Sequence, residues 1–353
     1  MSPRADRPIT VTRKVHRRRR RARALMAITV VAAVVAATGY GAWQFIEENE
    51  YLLDERCQVT LGETEHRLTP AQTYSAAHLA AGAADRDMPV QAATHALAIS
   101  LQEAQLEDHA DPEDAEPAET DSSEAEESAE AEEDQAPVEP VLFAGGGAQW
   151  DAVEASSTVP RTSADFYQEL SDSSRGEGEA ELEWSPELGL DEAAEALSRP
   201  HNPTFYPQHG ELARAFARPL TGMQPLVMTC QLSQIDVPGP DPQGLAEELG
   251  ATLPNLLGED AVAVEGSGES GTVTVGIEDV DAEAGVHDPV TEASSEDRTD
   301  PLWLVAHWAV AAAETYGVQS VHAGTHEWQR DSGRWERVEE ASDEAVEISF
   351  SRP

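Results

Sequence analysis

The chain has 353 residues, with 67 Asp and Glu against 23 Lys and Arg, a net charge of −44 at pH 7. The charge is unevenly placed: residues 1–23 hold ten basic side chains and one acid, Asp6, so beyond them 13 basic residues face 66 acids. A surface that negative repels nucleic acid and anionic lipid and excludes both as partners of the main body, while the length leaves room for about two domains.

In chain order, the first signal is a basic tail, residues 1–23, with Arg17 to Arg21 in one run. From Ala24 to Trp43 there are twenty residues with no charged or amide side chain. That is long enough for a helix to cross the hydrocarbon core of a bilayer, so a transmembrane helix is expected over 24–46. The basic flank keeps the N-terminus in the cytoplasm and sends the rest outside. The expected localisation is therefore the cell membrane, single-pass, with the bulk of the chain extracytoplasmic. A cleaved secretory signal is the rival reading. Its apolar region would be about 7–15 residues and end at a small-x-small site, for which Gly39-Tyr40-Gly41 is a weak candidate. Either way the bulk of the chain is exported.

After a polar spacer at 47–56 come Cys57 and, far downstream, Cys230, the only two cysteines. Both fall outside the membrane, where disulfides persist, and they bracket what reads as one folded unit, so a bridge is expected; two free thiols is the alternative. No CxxC, clustered Cys/His or HExxH spacing points to a metal or cofactor, and none is expected.

Leu68-Thr69-Pro70-Ala71-Gln72 offers Thr69 as N-cap, Pro70 at the first helical position and Gln72 to complete a capping box, predicting an Ala-rich helix to about Ala84. Pro89 starts a second helix, Val90 to Leu106. Its apolar residues recur at 3–4 spacing in two adjacent stripes, one of which reads Ala92, Ala96, Ile99, Glu103, Leu106. Glu103 is thus a carboxylate with Ile99 and Leu106 as helical neighbours. In a cleft it is a candidate general acid; on an open helix end it is a solvated Glu.

Residues 107–140 form an acidic insert. From Glu107 to Glu139, sixteen of 33 residues are acidic and none is basic, a composition too polar to offset its ordering entropy, so disorder is expected. Order resumes at Val141-Leu142-Phe143 and Gln149-Trp150. Helices are predicted over 164–170, capped by Ser163, over 192–198, and over 208–221, ending at Gly222; Pro200 to Pro207 is a turn. Residues 57–230 thus read as a mostly helical domain.

The remainder, 231–353, reads as a small α+β domain. A helix starts at Asp241-Pro242, strands at 261–265 and 272–277 flank a turn at Ser267-Gly268, and 278–300 is an acidic linker. A strong helix runs from Pro301 to Tyr316 with Gly317 as its stop, and short strands follow at 318–322, 326–329 and 345–350, the first two joined at Ala323-Gly324. A protein partner of this domain is a further expectation.

Several collinear motifs resemble a group of actinobacterial membrane-anchored proteins with a lysozyme-like, lytic-transglycosylase-like domain. They are Cys57-Gln58-Val59, Leu68 to Gln72, Met88 to Glu103, Ala164 to Tyr167, Ala193 to Ala196, Tyr206 to His209, Leu220-Thr221-Gly222, Cys230, and the helix around Val305 to Ala311. In that group the second helix reads L-P-x-R-A-A-T-I-A-L-A-T-A-L-Q-E-S, and its Glu takes the place of the lysozyme-like catalytic acid. The resemblance implies one transmembrane helix, a mostly α lysozyme-like domain and a small α+β domain. It also implies peptidoglycan glycan strands as partner, Glu103 as the acid that protonates the glycosidic oxygen, and Phe143, Trp150 and Tyr206 as candidate sugar-contact residues. The sequence departs from the group where chemistry would occur. Ala104 replaces the Ser after the Glu, and the Gln-Gln-Arg-Pro core of the next motif is absent. Those departures favour a wall-binding protein with a degenerate site over an active lytic transglycosylase. Some members carry a heavy-metal transport label, but one apolar span without an ionisable residue provides no ion path.

Overall fold

The computed structural model describes residues 55–107, 141–143, 162–277 and 299–351, apart from residues 63, 179, 235, 236 and 259. The expected transmembrane stretch 24–46, positions 108–140 of the acidic insert, Trp150 and positions 278–298 of the acidic linker lie outside the described residues. Among the described residues no helix is long and apolar enough to cross a membrane.

The first described element is a strand. In β1 (Arg56–Leu61) Cys57 and Val59 point into the core while Thr60 faces out, the period-2 pattern of a half-buried strand. Gly62, at φ 61°, turns the chain into β2 (Thr64–Leu68), and the two pair antiparallel. The other edge of β1 is taken by β3 (Met228–Gln231), which sets Cys57 directly opposite Cys230; the two are joined as a disulfide.

Thr69 then starts α1 (Pro70–Asp85) with the full capping box: its hydroxyl accepts from the Gln72 backbone and the Gln72 side chain accepts from the Thr69 backbone. α2 (Val90–Glu103) folds back along α1. It ends at Glu103, three residues before the expected Leu106, because Gln105 and Leu106 adopt positive φ. After it come α3 (Ser163–Ser174), capped by Thr162 and not Ser163, then α4 (Leu190–Ala196) and α5 (Gly210–Leu220). Between α4 and α5, where a plain turn is expected, Pro203–His209 forms a 3-10 helix. Gly82 lets α1 and α3 approach closely, since a Cβ there would lie 2.6 Å from the Ser163 hydroxyl.

The second half supplies α6 (Pro242–Thr252), β4 (Val262–Glu265), β5 (Thr272–Gly276), α7 (Pro301–Ala311), α8 (Ala313–Tyr316), β6 (Ser320–Gln329) and β7 (Arg334–Ser349). The strands form an antiparallel sheet in the order β4-β5-β7-β6. β6 runs straight through Ala323-Gly324, where a hairpin is expected, with register shifts on either side of Gly324 in place of a turn. The reversal comes instead at 330–333, where Gly333 has φ 57°. β7 is far longer than the expected 345–350; its first half, rich in Glu and Arg, is held by pairing with β6.

The expectation of a mostly α lysozyme-like domain followed by a small α+β domain is therefore corrected. The described residues contain two antiparallel sheets, and strands β1, β2 and β3 open and close the part read as helical. The described residues form one compact unit around a hydrophobic core that includes both Cys57 and Phe350. α7 joins the halves. Leu302 to Ala311 are all buried, so the helix is apolar on every side, as a central helix must be. Trp308 stacks edge-on to Tyr74 of α1, Nδ1 of His307 lies 2.8 Å from the Pro219 carbonyl of α5, and Trp303 meets Trp335 of β7. The tip of the β6–β7 hairpin docks on β3 through Thr229, whose hydroxyl donates to the Gly333 carbonyl at 2.6 Å.

Because the disulfide closes a loop of 173 residues within this single unit, it constrains most of the unfolded chain. Replacing both cysteines by serine should cost roughly 2–5 kcal/mol, read as a lower urea midpoint with a larger m-value as the released unfolded chain expands. An unchanged midpoint would show that the closed loop contributes nothing.

Candidate functional site

Glu103 occupies the last position of α2, where the apolar stripe carries it inward; its side chain does not reach solvent. Its partner comes from the far side of α4. Arg199, also without side-chain exposure, grips the carboxylate with two groups: Nε donates to Oε1 at 2.9 Å and Nη2 to Oε2. The Tyr206 hydroxyl donates to Oε1 at 3.1 Å and lies 3.3 Å from the backbone N–H of His201. This is a bidentate, charge-assisted pair with a third donor, buried from water.

Burial alone would lower the pKa of Arg199, but the adjacent Glu103 outweighs it and holds the guanidinium above its ordinary value. Burial, then the neighbouring Glu103, raises Tyr206, so its hydroxyl stays a donor. Every oxygen of Glu103 is thus already facing a donor.

The apolar walls come from two phenylalanines. Phe143 stacks on Phe166 of α3 at 4.5 Å between ring centres, with the ring planes nearly parallel, and the Arg199 guanidinium lies 5.4 Å from one ring and 5.8 Å from the other. The segment carrying Phe143 is pinned to α2 by Ser100, whose hydroxyl donates to the Leu142 carbonyl at 2.6 Å. A second carboxyl, Glu169 of α3, approaches Nη1 of Arg199 to 3.6 Å, beyond hydrogen-bonding distance, and neither atom has another hydrogen-bond partner among the described residues. Burial raises Glu169 to about 7, opposed by Arg199 and reinforced by Glu103.

The sequence-predicted site residues thus separate. Glu103, Phe143 and Tyr206 converge on one cluster, but Phe143 and Tyr206 are fully buried and present no ring to a sugar. Trp150 lies outside the described residues. Cys57 and Cys230 lie opposite each other in the β1–β3 pair. Arg199 and Glu169 escaped the sequence reading. The available signal was that Arg199 is one of few basic residues in an acidic body, placed at a helix end immediately before Pro200.

On the solvent side of the cluster, the 3-10 helix carries Phe205, the one large aromatic side chain well exposed among the described residues, at 52%. In a 3-10 helix positions i and i+3 eclipse, so Gln208 lies on the same face. Its amide donates to Oε1 of Gln102 at 2.9 Å, and His209 Nε2 lies 3.2 Å from that same oxygen. Burial lowers the pKa of His209, keeping the ring neutral.

A separate cavity of about 210 Å³ opens between α1, α3 and α6. Two of its wall residues, His78 and Glu248, form a 3.2 Å pair, while Asp85 ties α1 to the loop after α6 by accepting from Asn255 and Leu256. Among the described residues no group of three or more His, Cys, Asp or Glu is placed to hold a metal ion. Comparison of the chain with protein-family models, with curated proteins and with solved structures finds no match.

The raised Glu169 makes stability depend on pH. Its folded value of about 7 exceeds the usual 4.5, so between those values the folded state holds a proton that the unfolded state has lost. Its contribution is fully present below about pH 4.5 and is lost as pH rises through about 7. Stability should fall across this window by up to about 1 kcal/mol per pH unit, allowing for residual solvent contact. Glu169→Gln should flatten the decline in urea midpoint between pH 5 and 7; an unaltered slope rejects the assignment.

Proposed function

We propose that this chain is a membrane-tethered, extracytoplasmic protein that binds cell-wall glycan and does not cleave it. The tether is the apolar stretch 24–46 with its basic flank, and the wall as partner rests on the motif resemblance around Met88 to Glu103. The observation that carries the non-catalytic reading is the closed pairing of Glu103 with Arg199 and Tyr206.

A general acid in glycoside cleavage must hold a proton on one carboxyl oxygen and reach the leaving oxygen within about 3 Å. Both oxygens of Glu103 accept from a guanidinium instead, one of them from a phenol as well, and solvent has no access to the side chain. The arrangement suits a structural tie between α2 and the 3-10 helix. The departures at Ala104 and downstream of the acidic insert agree with it, because those positions no longer carry the residues of the lytic group.

Two measurements on the full chain separate this reading from lytic transglycosylase activity. Incubated with isolated peptidoglycan, the protein should sediment with the wall material and release no anhydro-muropeptides detectable by mass spectrometry. Glu103→Gln should lower stability by roughly 3–5 kcal/mol, since it strands the buried Arg199 charge. Muropeptide release that disappears in a Glu103→Gln protein of normal stability would make Glu103 a catalytic acid and end the proposal.

A further inference from the structure

We infer that the exposed face built from Phe205, Gln208, Gln102 and His209 is a binding site for an uncharged acetamido sugar, with the Phe205 ring as its stacking platform. The inference rests on the wall-binding reading and names the surface that performs it.

Sugar recognition in water combines a flat apolar surface against the C–H face of a pyranose with planar polar groups aimed at its hydroxyl or acetamido edge. Both are present here on a stiff support. Phe205 is half exposed although the rest of the local aromatic inventory, Phe143, Phe166, Tyr167 and Tyr206, is buried. Leaving such a ring in water forgoes the stabilisation that burial would give. Its backbone is not free to tuck the ring away. Pro203 and Pro207 lie within the seven-residue 3-10 helix, and Asn202 caps it by accepting from the Thr204 N–H at 3.1 Å. On the other side Tyr206 is anchored to Glu103, so the helix is fastened from beneath by the buried cluster.

The polar half is preorganised too. Oε1 of Gln102 holds the Gln208 amide and lies against His209, which fixes the planes of both amides. Among the described residues, Nε2 of Gln102 and Oε1 of Gln208 have no hydrogen-bond partner, leaving one donor and one acceptor for a ligand. The eclipsed i, i+3 relation puts Phe205 beside Gln208. All four groups are uncharged, His209 included. That matters in a chain whose main body is so acidic: an anionic ligand would be repelled, whereas a neutral sugar is recognised at short range without opposing the field.

The test uses the full chain with two probes, isolated peptidoglycan for sedimentation and the β-1,4-linked hexamer of N-acetylglucosamine for titration calorimetry. Wild type should bind both, and Phe205→Ala should weaken hexamer binding at least tenfold with an unchanged thermal midpoint, because the ring contributes little to the core. Gln208→Ala provides the second variant and should weaken it several-fold. Binding of the hexamer by wild type and Phe205→Ala alike overturns the assignment of the face. Sedimentation of wild type with peptidoglycan but no affinity for the hexamer overturns the acetamido-sugar inference alone and leaves wall binding standing. Failure of wild type to bind either probe removes the wall-binding reading and this inference together.

Discussion

The buried guanidinium of Arg199 is the constraint around which the site half of the molecule is arranged. Removing an arginine from water costs several kcal/mol, and only a well-oriented counter-charge with directed hydrogen bonds offsets that cost. Glu103 supplies it at the end of α2, the stacked pair Phe143 and Phe166 walls one side of the guanidinium, and Tyr206 gives the carboxylate a third hydrogen bond, at Oε1. Four separate segments, α2, the strip at 141–143, α3 and the 3-10 helix, must therefore come into register together. The cluster explains why the acidic insert is tolerated where it is. The chain leaves α2 just past Glu103 and is recaptured at Leu142 by Ser100, one turn earlier on the same helix. A long excursion between two fixed points adds only slowly to the entropy of closing the loop.

The second carboxyl makes the cluster asymmetric. Arg199 can neutralise one carboxylate fully, and Glu103 has both of its good donors. Glu169 is left at 3.6 Å with a long contact and a proton that it releases only near neutrality. A buried site holding two acids and one base is a place where a lytic enzyme could keep an acid protonated. Here, however, the elevated carboxyl is Glu169, on α3, while the residue that the motif places as the acid is the one already bound. That pairing supports the structural role proposed for Glu103 above.

Local signals in the sequence carried much of the helical architecture and strands β4 and β5, but not how the strands pair. The Thr69 capping box, Asp241 and Asp300 as N-caps, and Gly317 as a left-handed stop all act within four residues, and each forms as read. Strand β1 was not read, because its alternation at Cys57, Val59 and Leu61 is too short to stand apart from the spacer before it. The first half of β7 was not legible, because Arg334 to Glu340 has the composition of a solvated loop and becomes a strand only by pairing with β6. The same limit governs the site. Apolar neighbours at Ile99 and Leu106 announced that Glu103 faces inward, yet its partner is 96 positions away and no spacing rule connects them. Aromatic type was no guide either: Phe143 and Tyr206 were singled out and are core, while Phe205, one residue from Tyr206, is the ring that reaches water.

That adjacent pair shows how the buried cluster and the exposed face depend on each other. In a helix of three residues per turn, neighbouring side chains point about 120° apart, so anchoring Tyr206 inward on Glu103 forces Phe205 out to the side. The ring is exposed because its neighbour is buried, and it stays exposed because the prolines stiffen the backbone that carries both. The residue that the resemblance marks as a catalytic acid thus has a structural reason to be a glutamate. It orients the turn that presents Phe205, and an apolar substitute could fill its volume without accepting the Tyr206 hydrogen bond that sets that orientation.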